Sequence, residues 1–236
     1  GAAGVPPGAS DAGSGDDNVP AGYSSQSRDR MVAVLEGYAT DEVTKLKLGA
    51  LRFLLENEFS ERTVYPILLA ASCDRHHAVQ SLAEDTLKRT HFDVEDARLV
   101  AKLFILFVGL RNAKAGSLPP ARQPAAVGPA FRRRILEALS KSKFAANYFP
   151  PAYTLISLSV FSDVDPRLQK AGLGYMQWCF QHADEEIMGK YARDIMTGLV
   201  AIIEDHPTSE KGHLELRASA FKAIGLLGRR TPGNMG

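Results

Sequence analysis

Apolar residues recur at helical spacing over most of this chain, and one particular spacing recurs with them. In AASCDRHHAVQSLAEDTLKR (70–89), Asp74 precedes Val79, Ala83 and Leu87 by five, nine and thirteen residues. In VFSDVDPRLQKAGLGYMQWC (160–179), Asp163 stands in the same relation to Leu168, Gly172 and Met176. KGHLELRASAFKAIGLLGRR (211–230) places Leu216, Ala220 and Ile224 at those offsets, with Lys211 in the position of the Asp. Each segment follows another apolar helical run. Positions four apart share one helix face. A helix pair closed by a polar turn and repeated along a chain is the unit of an α-solenoid. The pattern predicts an all-α superhelix of antiparallel helix pairs, with Leu87 and Ile224 inside its core and worth roughly 2–4 kcal/mol each on truncation to Ala.

The same reading places the individual elements. Residues 1 to about 27 are rich in Gly, Ala, Ser, Pro and Asp, bury too little apolar surface to offset ordering entropy, and are expected to be a disordered linker. Residues 28–236 are expected to carry the repeats. Thr40, followed by Asp41 and Glu42, reads as the N-cap of a helix running to about Asn57. Runs at 62–72 and 75–89 form the first clear pair, with Val64, Ile67, Leu68 and Ala71 facing Val79, Leu82, Ala83 and Leu87. A helix at 94–109 is separated from its partner at 130–142 by an irregular Pro/Gly/Ala-rich loop at 111–129, read as an insertion at the edge of the array. Pro150–Pro151 opens the next pair, and Asp165–Pro166 caps and opens a helix at 166–181. Asp184 caps a helix to about Glu204, closed by His206–Pro207. The last helix, 212–227, ends at Gly228, with Pro232 beyond. About ten helices are expected, and no segment shows sustained strand alternation. Gly172 and Gly174, inside a helix, are read as points of close helix approach.

Composition narrows the function classes. The chain has 236 residues, 45% of them apolar, and a net charge of +1. Near-neutrality provides no whole-chain field toward nucleic acid or membrane. The N-terminus has neither the basic region nor the apolar core of a signal peptide. The most apolar run, 99–110, is too short to span a bilayer and contains Lys102. The first residue is Gly rather than Met, and the chain stops inside a repeat-like pattern, so it is read as part of something longer. The two cysteines, Cys73 and Cys179, sit in helical runs, which fits a reducing compartment without a disulfide framework.

Chemical motifs are sparse. Cys73, His76 and His77, with Cys179 and His182, have metal-ligand character, but the groups fall about two repeats apart, and repeats contact only their neighbours. No metal or cofactor is expected. No nucleophile elbow or phosphate-cradling loop is present, and Glu185–Glu186 read as first-turn residues facing water. No enzyme activity and no small-molecule substrate are expected. The sharpest surface feature is the basic cluster Arg132, Arg133 and Arg134, with Lys141 and Lys143 on the same helix. Three readings are open for it: a solvated helix face, a contact for an acidic protein partner, and a nucleic-acid contact, against which stand the near-neutral chain and the lack of interleaved aromatics.

The Asp turn followed by a Val, Ala and Leu ladder fits the HEAT-repeat pattern. More specifically, residues 45–230 resemble the N-terminal part of large proteasome adaptor-and-scaffold proteins of the ECM-twenty-nine type. The stretches that carry the resemblance are KLGALRFLLE (47–56), ILLAASCDRHHAVQSLAEDTLK (67–88), RRRILEALSKSKFAANYFPPAYTLI (132–156) and LELRASAFKAIGLLGRRTP (214–232). They run in the family's order, after a Pro/Gly-rich linker like 1–27. The loop at 111–129 departs from the family by its Pro and Ala content, and Cys73 stands where Ser is usual. The resemblance implies a non-enzymatic, HEAT-like scaffold of the cytoplasm and nucleus. It implies binding to core and regulatory-particle subunits of the 26S proteasome, in assembly, quality control and ubiquitin-dependent degradation, the ER-associated branch included. A HEAT-type transport receptor or cargo adaptor is the alternative.

Overall fold

A computed structural model describes residues 44–112, 129–163, 165–205, 211–231 and 233. The expected linker at 1–27, the Thr40 cap, His206–Pro207, Pro232 and most of the loop at 111–129 lie outside the described residues.

Among the described residues there are ten α-helices and no strand. They are α1 (Thr44–Glu56), α2 (Glu61–Ala71), α3 (His77–Arg89), α4 (Ala97–Asn112), α5 (Pro129–Leu139), α6 (Lys143–Asn147), α7 (Pro151–Ile156), α8 (Pro166–His182), α9 (Glu185–Asp205) and α10 (Lys211–Arg230). Helix α7 widens into a π-helical turn at Ser157–Phe161. Consecutive helices pair as α2 with α3, α4 with α5, α7 and its π-turn with α8, and α9 with α10. The pairs then stack: α8 packs on α5 on one side and on α10 on the other. The architecture is an all-α solenoid of helix pairs around one continuous apolar core.

The caps follow from local chemistry. Asp165 accepts from the N–H groups of Arg167 and Leu168, and Pro166 fills the first helical position, where no intrahelical donor is needed. Asp184 accepts from the N–H groups of Glu186 and Ile187 at the start of α9. Glu185 and Glu186 are exposed in the first turn, where carboxylates complement the helix dipole.

The recurring Asp does something the spacing alone did not show. Asp74 Oδ1 accepts the N–H of His76 at 2.8 Å, and its Oδ2 accepts Lys47 Nζ of α1 at 2.7 Å. Asp163 repeats both contacts: Oδ1 accepts the N–H of Asp165 at 3.0 Å, and Oδ2 accepts Arg132 Nη1 of α5 at 2.9 Å. Each aspartate closes its own turn by bonding two residues on and also latches that turn to a cation from an earlier helix. Both pairs are largely buried, with side-chain exposures of 6% and 7% for Lys47 and Asp74, and 14% and 12% for Arg132 and Asp163.

In all three copies the ladder is buried on its first two rungs: Val79 and Ala83, Leu168 and Gly172, Leu216 and Ala220. The third rung diverges. Met176 is fully buried, whereas Leu87 and Ile224 are only half-buried against the core. The expectation that Leu87 and Ile224 are core residues is corrected accordingly: helices on both sides cover α8, whereas Leu87 borders a groove between α3 and α5.

Gly172 is a true close approach. A Cβ placed there would lie 2.4 Å from Ser159 Oγ and 2.8 Å from Val160 Cγ2 of the π-turn. Gly174 is not, because it is exposed and a Cβ there meets nothing within 4 Å.

Candidate protein-docking surface

The basic cluster does not stand on one helix. Helix α5 ends at Leu139, so Lys141 lies in the following turn and Lys143 opens the separate helix α6. Ser142 breaks the continuation: its side chain accepts from the N–H of Ala145 as the N-cap of α6. Nor do the arginines form a free patch. Arg132 is the latch to Asp163. Arg134 Nη2 meets Glu84 Oε1 of α3 at 2.6 Å, and its Nη1 lies 3.5 Å from Glu137 Oε2. Arg133 Nε lies 3.7 Å from Glu137 Oε1. Glu84, Glu137 and Asp163 thus balance the three arginines, leaving Lys141 and Lys143 as the exposed cations of the set.

Helix α6, which the sequence reading did not separate from its neighbours, is anchored by a residue far away in sequence. Glu95 Oε1 accepts the N–H of Lys143 at 2.7 Å, and its Oε2 accepts the N–H of Phe144 at 2.8 Å and Ser142 Oγ at 3.2 Å. Burial raises the Glu95 carboxyl, but these hydrogen bonds and the Lys143 charge outweigh it and hold it below its ordinary value. Tyr175 Oη donates to Ala145 O at 2.9 Å, and Trp178 Nε1 donates to Ser142 O at 2.8 Å, so α8 holds α6 from below. No short-range signal marks this arrangement, because its partners lie 30 to 49 residues apart.

The element so anchored borders an apolar groove of about 490 Å³ between α4 and the α6–α7 segment. Phe104, Ile105, Val108, Tyr148, Pro151 and Leu155 line it. Phe104 and Tyr148 meet edge to face at 5.4 Å, and Tyr148 stacks on Phe144 at 5.6 Å. Ile105 is 72% exposed.

The cysteine and histidine groups stay apart from one another in their bonding. Cys73 Sγ lies 3.5 Å from Leu69 O, and His76 Nδ1 pairs with Asp74 at 2.8 Å. The rings of His182 and Trp178 lie 3.9 Å apart, tilted by 46°. Among the described residues no group of three or more His, Cys, Asp or Glu is placed to hold a metal ion, and no helix is long and apolar enough to cross a membrane. Burial pushes the Cys179 thiol up to about 12 and also raises Cys73. The thiolate is the reactive form, so iodoacetamide at pH 8 should modify Cys179 only after denaturation, while half-buried Cys73 reacts slowly in the native chain. Peptide mapping after timed labelling checks this order.

These features define a class: an α-helical repeat array whose prominent concavity is an apolar surface groove. The chain belongs to the family described as proteasome component ECM29, N-terminal, whose family model matches residues 6–235. It is 24% identical over 189 residues, 79% of the chain, to the proteasome-associated protein ECM29 homolog of Drosophila melanogaster. It is 22% identical over 201 residues, 83% of the chain, to the proteasome adapter and scaffold protein ECM29 of Homo sapiens. The chain spans about a tenth of the length of these relatives (10% and 11%). No solved structure matches it.

Proposed function

We propose that this chain is a non-catalytic segment of a proteasome-binding scaffold, contributing a HEAT-like stretch of surface to a longer protein that joins core and regulatory particles. The match to the ECM29 N-terminal family over residues 6–235, together with relatives named as proteasome-associated and as adapter and scaffold, carries this reading. A repeat array suits the role physically. Each helix pair contacts only its neighbours, so the fold extends along one dimension and presents long surfaces instead of one enclosed site. The reading includes a role in proteasome assembly and quality control, in the cytoplasm and nucleus.

Affinity purification of the full-length protein with mass spectrometry tests it. Subunits of both particles should be enriched; their absence overturns the proposal. Within this segment, Lys141→Glu with Lys143→Glu should lower proteasome recovery several-fold at low salt and less at high salt, because exposed charges act mainly on encounter and are screened. Lys141→Glu alone should leave folding unchanged, since exposed substitutions usually stay within about 0.5 kcal/mol, whereas Lys143→Glu also places a like charge beside the Glu95 anchor. Undiminished recovery at low salt would remove the two lysines from the contact. Arg132→Glu is the wrong probe of binding, because it breaks a largely buried latch.

A further inference from the structure

We propose that the outward face of α10, the stripe Leu214, Ala218, Phe221 and Gly225, is a seam that receives the next helix pair of the longer protein, the pair that follows residue 236. The seam rests on the scaffold reading above only in taking this chain as a segment of a longer array. Three observations carry it.

The first is the pattern around α10 itself. The helix packs on α8 and α9, and Leu216, Ala220, Ala223 and Leu227 are buried. At about 3.6 residues per turn, Leu214, Ala218, Phe221 and Gly225 stand on the opposite side. All four are exposed, Leu214 at 49% and Phe221 at 56%, and a Cβ placed at Gly225 meets nothing within 4 Å. A helix with apolar residues on two opposite faces is built to be enclosed from both.

The second is register. Helix α8 is the preceding copy of α10, and α5 and α10 cover it from two sides. It receives α10 along Lys170 and Gln177: Lys170 Nζ lies 2.5 Å from Glu215 Oε2, and Gln177 Nε2 donates to Ser219 O at 3.2 Å. Leu173, at helical spacing between them, is fully buried. In the register that sets Leu216 over Leu168 and Ala220 over Gly172, Lys170 maps to Ala218, Leu173 to Phe221 and Gln177 to Gly225. The exposed stripe of α10 is thus the image of the stripe by which α8 takes its successor. Ala218 and Gly225 replace the polar contacts of that first seam and leave room for a close approach. The helix received is therefore one with an apolar stripe.

The third is what α10 lacks. An array ends on a capping helix with a polar outer face, because that side meets water. Leu214 and Phe221 stand there instead. The chain spans 10% and 11% of the relatives it matches, so a longer protein of that kind has further chain to supply the covering pair.

Hydroxyl-radical footprinting of the full-length protein against this chain tests whether the stripe is covered. Leu214 and Phe221 should be oxidised readily in this chain and several-fold more slowly in the full-length protein, while buried Leu216 stays protected in both. Equal rates overturn the proposal. Photo-crosslinking from p-benzoylphenylalanine in place of Phe221, in the full-length protein, then names the occupant. The product should map within about 50 residues after residue 236, the length of one HEAT-type helix pair. A product on a second copy, on residues 1–43 or 113–128, on a proteasome subunit or on a distant part of the chain overturns it. So does protection with no product in the expected stretch. Proteasome recovery by the wild-type full-length protein separates this inference from the scaffold reading. If proteasomes are recovered while Phe221 stays accessible, only the seam is lost.

Discussion

Asp74→Ala should destabilise the fold by about 3–5 kcal/mol, the cost of stranding one partner of a buried ion pair. Lys47 is 5% exposed, and the substitution would leave its ammonium without the carboxylate 2.7 Å away. The turn bond to the N–H of His76 would go as well. Lys47→Met combined with Asp74→Asn should recover most of the loss, because no buried charge is left uncompensated and Asn can still accept from His76. Arg132→Ala should reproduce the effect in weaker form, its pair with Asp163 being slightly more exposed. Urea midpoints of the four proteins check the ordering.

The pH dependence has a definite sign. Burial raises the Asp74 carboxyl, but the hydrogen bonds from Lys47 and His76 and the Lys47 charge lower it further, so its folded value lies below the ordinary one. Its contribution is complete above the unfolded value of about 3.9 and is lost as pH falls through the depressed folded value. The gap between wild type and Asp74→Ala should therefore be full at pH 7 and narrow in acid.

The second large effect separates the three copies of the ladder. Met176→Ala should cost about 2–5 kcal/mol, as a fully buried large-to-small change does. Leu87→Ala and Ile224→Ala should cost about half of that or less, because part of each side chain already meets solvent, and burial energy scales with the area removed from water. Chemical denaturation of the three single variants measures this. Equal losses at all three positions would mean that the third rung is structurally equivalent in every copy.

Much of the fold was legible because helical periodicity is local. Val79, Ala83, Leu168, Leu216 and Ala220 announce their faces by spacing alone, and Asp165–Pro166 announces a helix start through its own hydrogen bonds. The candidate surface was less legible. Three arginines in a row look like a patch, yet Glu84, Glu137 and Asp163 balance them, two of these from other helical units. The start of α6 is held by Glu95, more than 40 residues earlier in the chain. The groove exists only because α4 and the α6–α7 segment come together, and its exposed Ile105 sits in a run that reads as uniformly apolar.

By itself, then, the sequence determined the helices, their apolar faces, the repeating polar turn and the family, because each of these depends on residues within a few turns of one another or on order along the chain. Tertiary structure alone decided which cations the repeated aspartates hold, which third rungs reach the core, that Gly172 and not Gly174 is a close approach, and where an apolar groove forms among the described residues. Those outcomes depend on distances between helices. Spacing along one helix determines the face a residue occupies, but not how near the facing helix comes or which charge it brings.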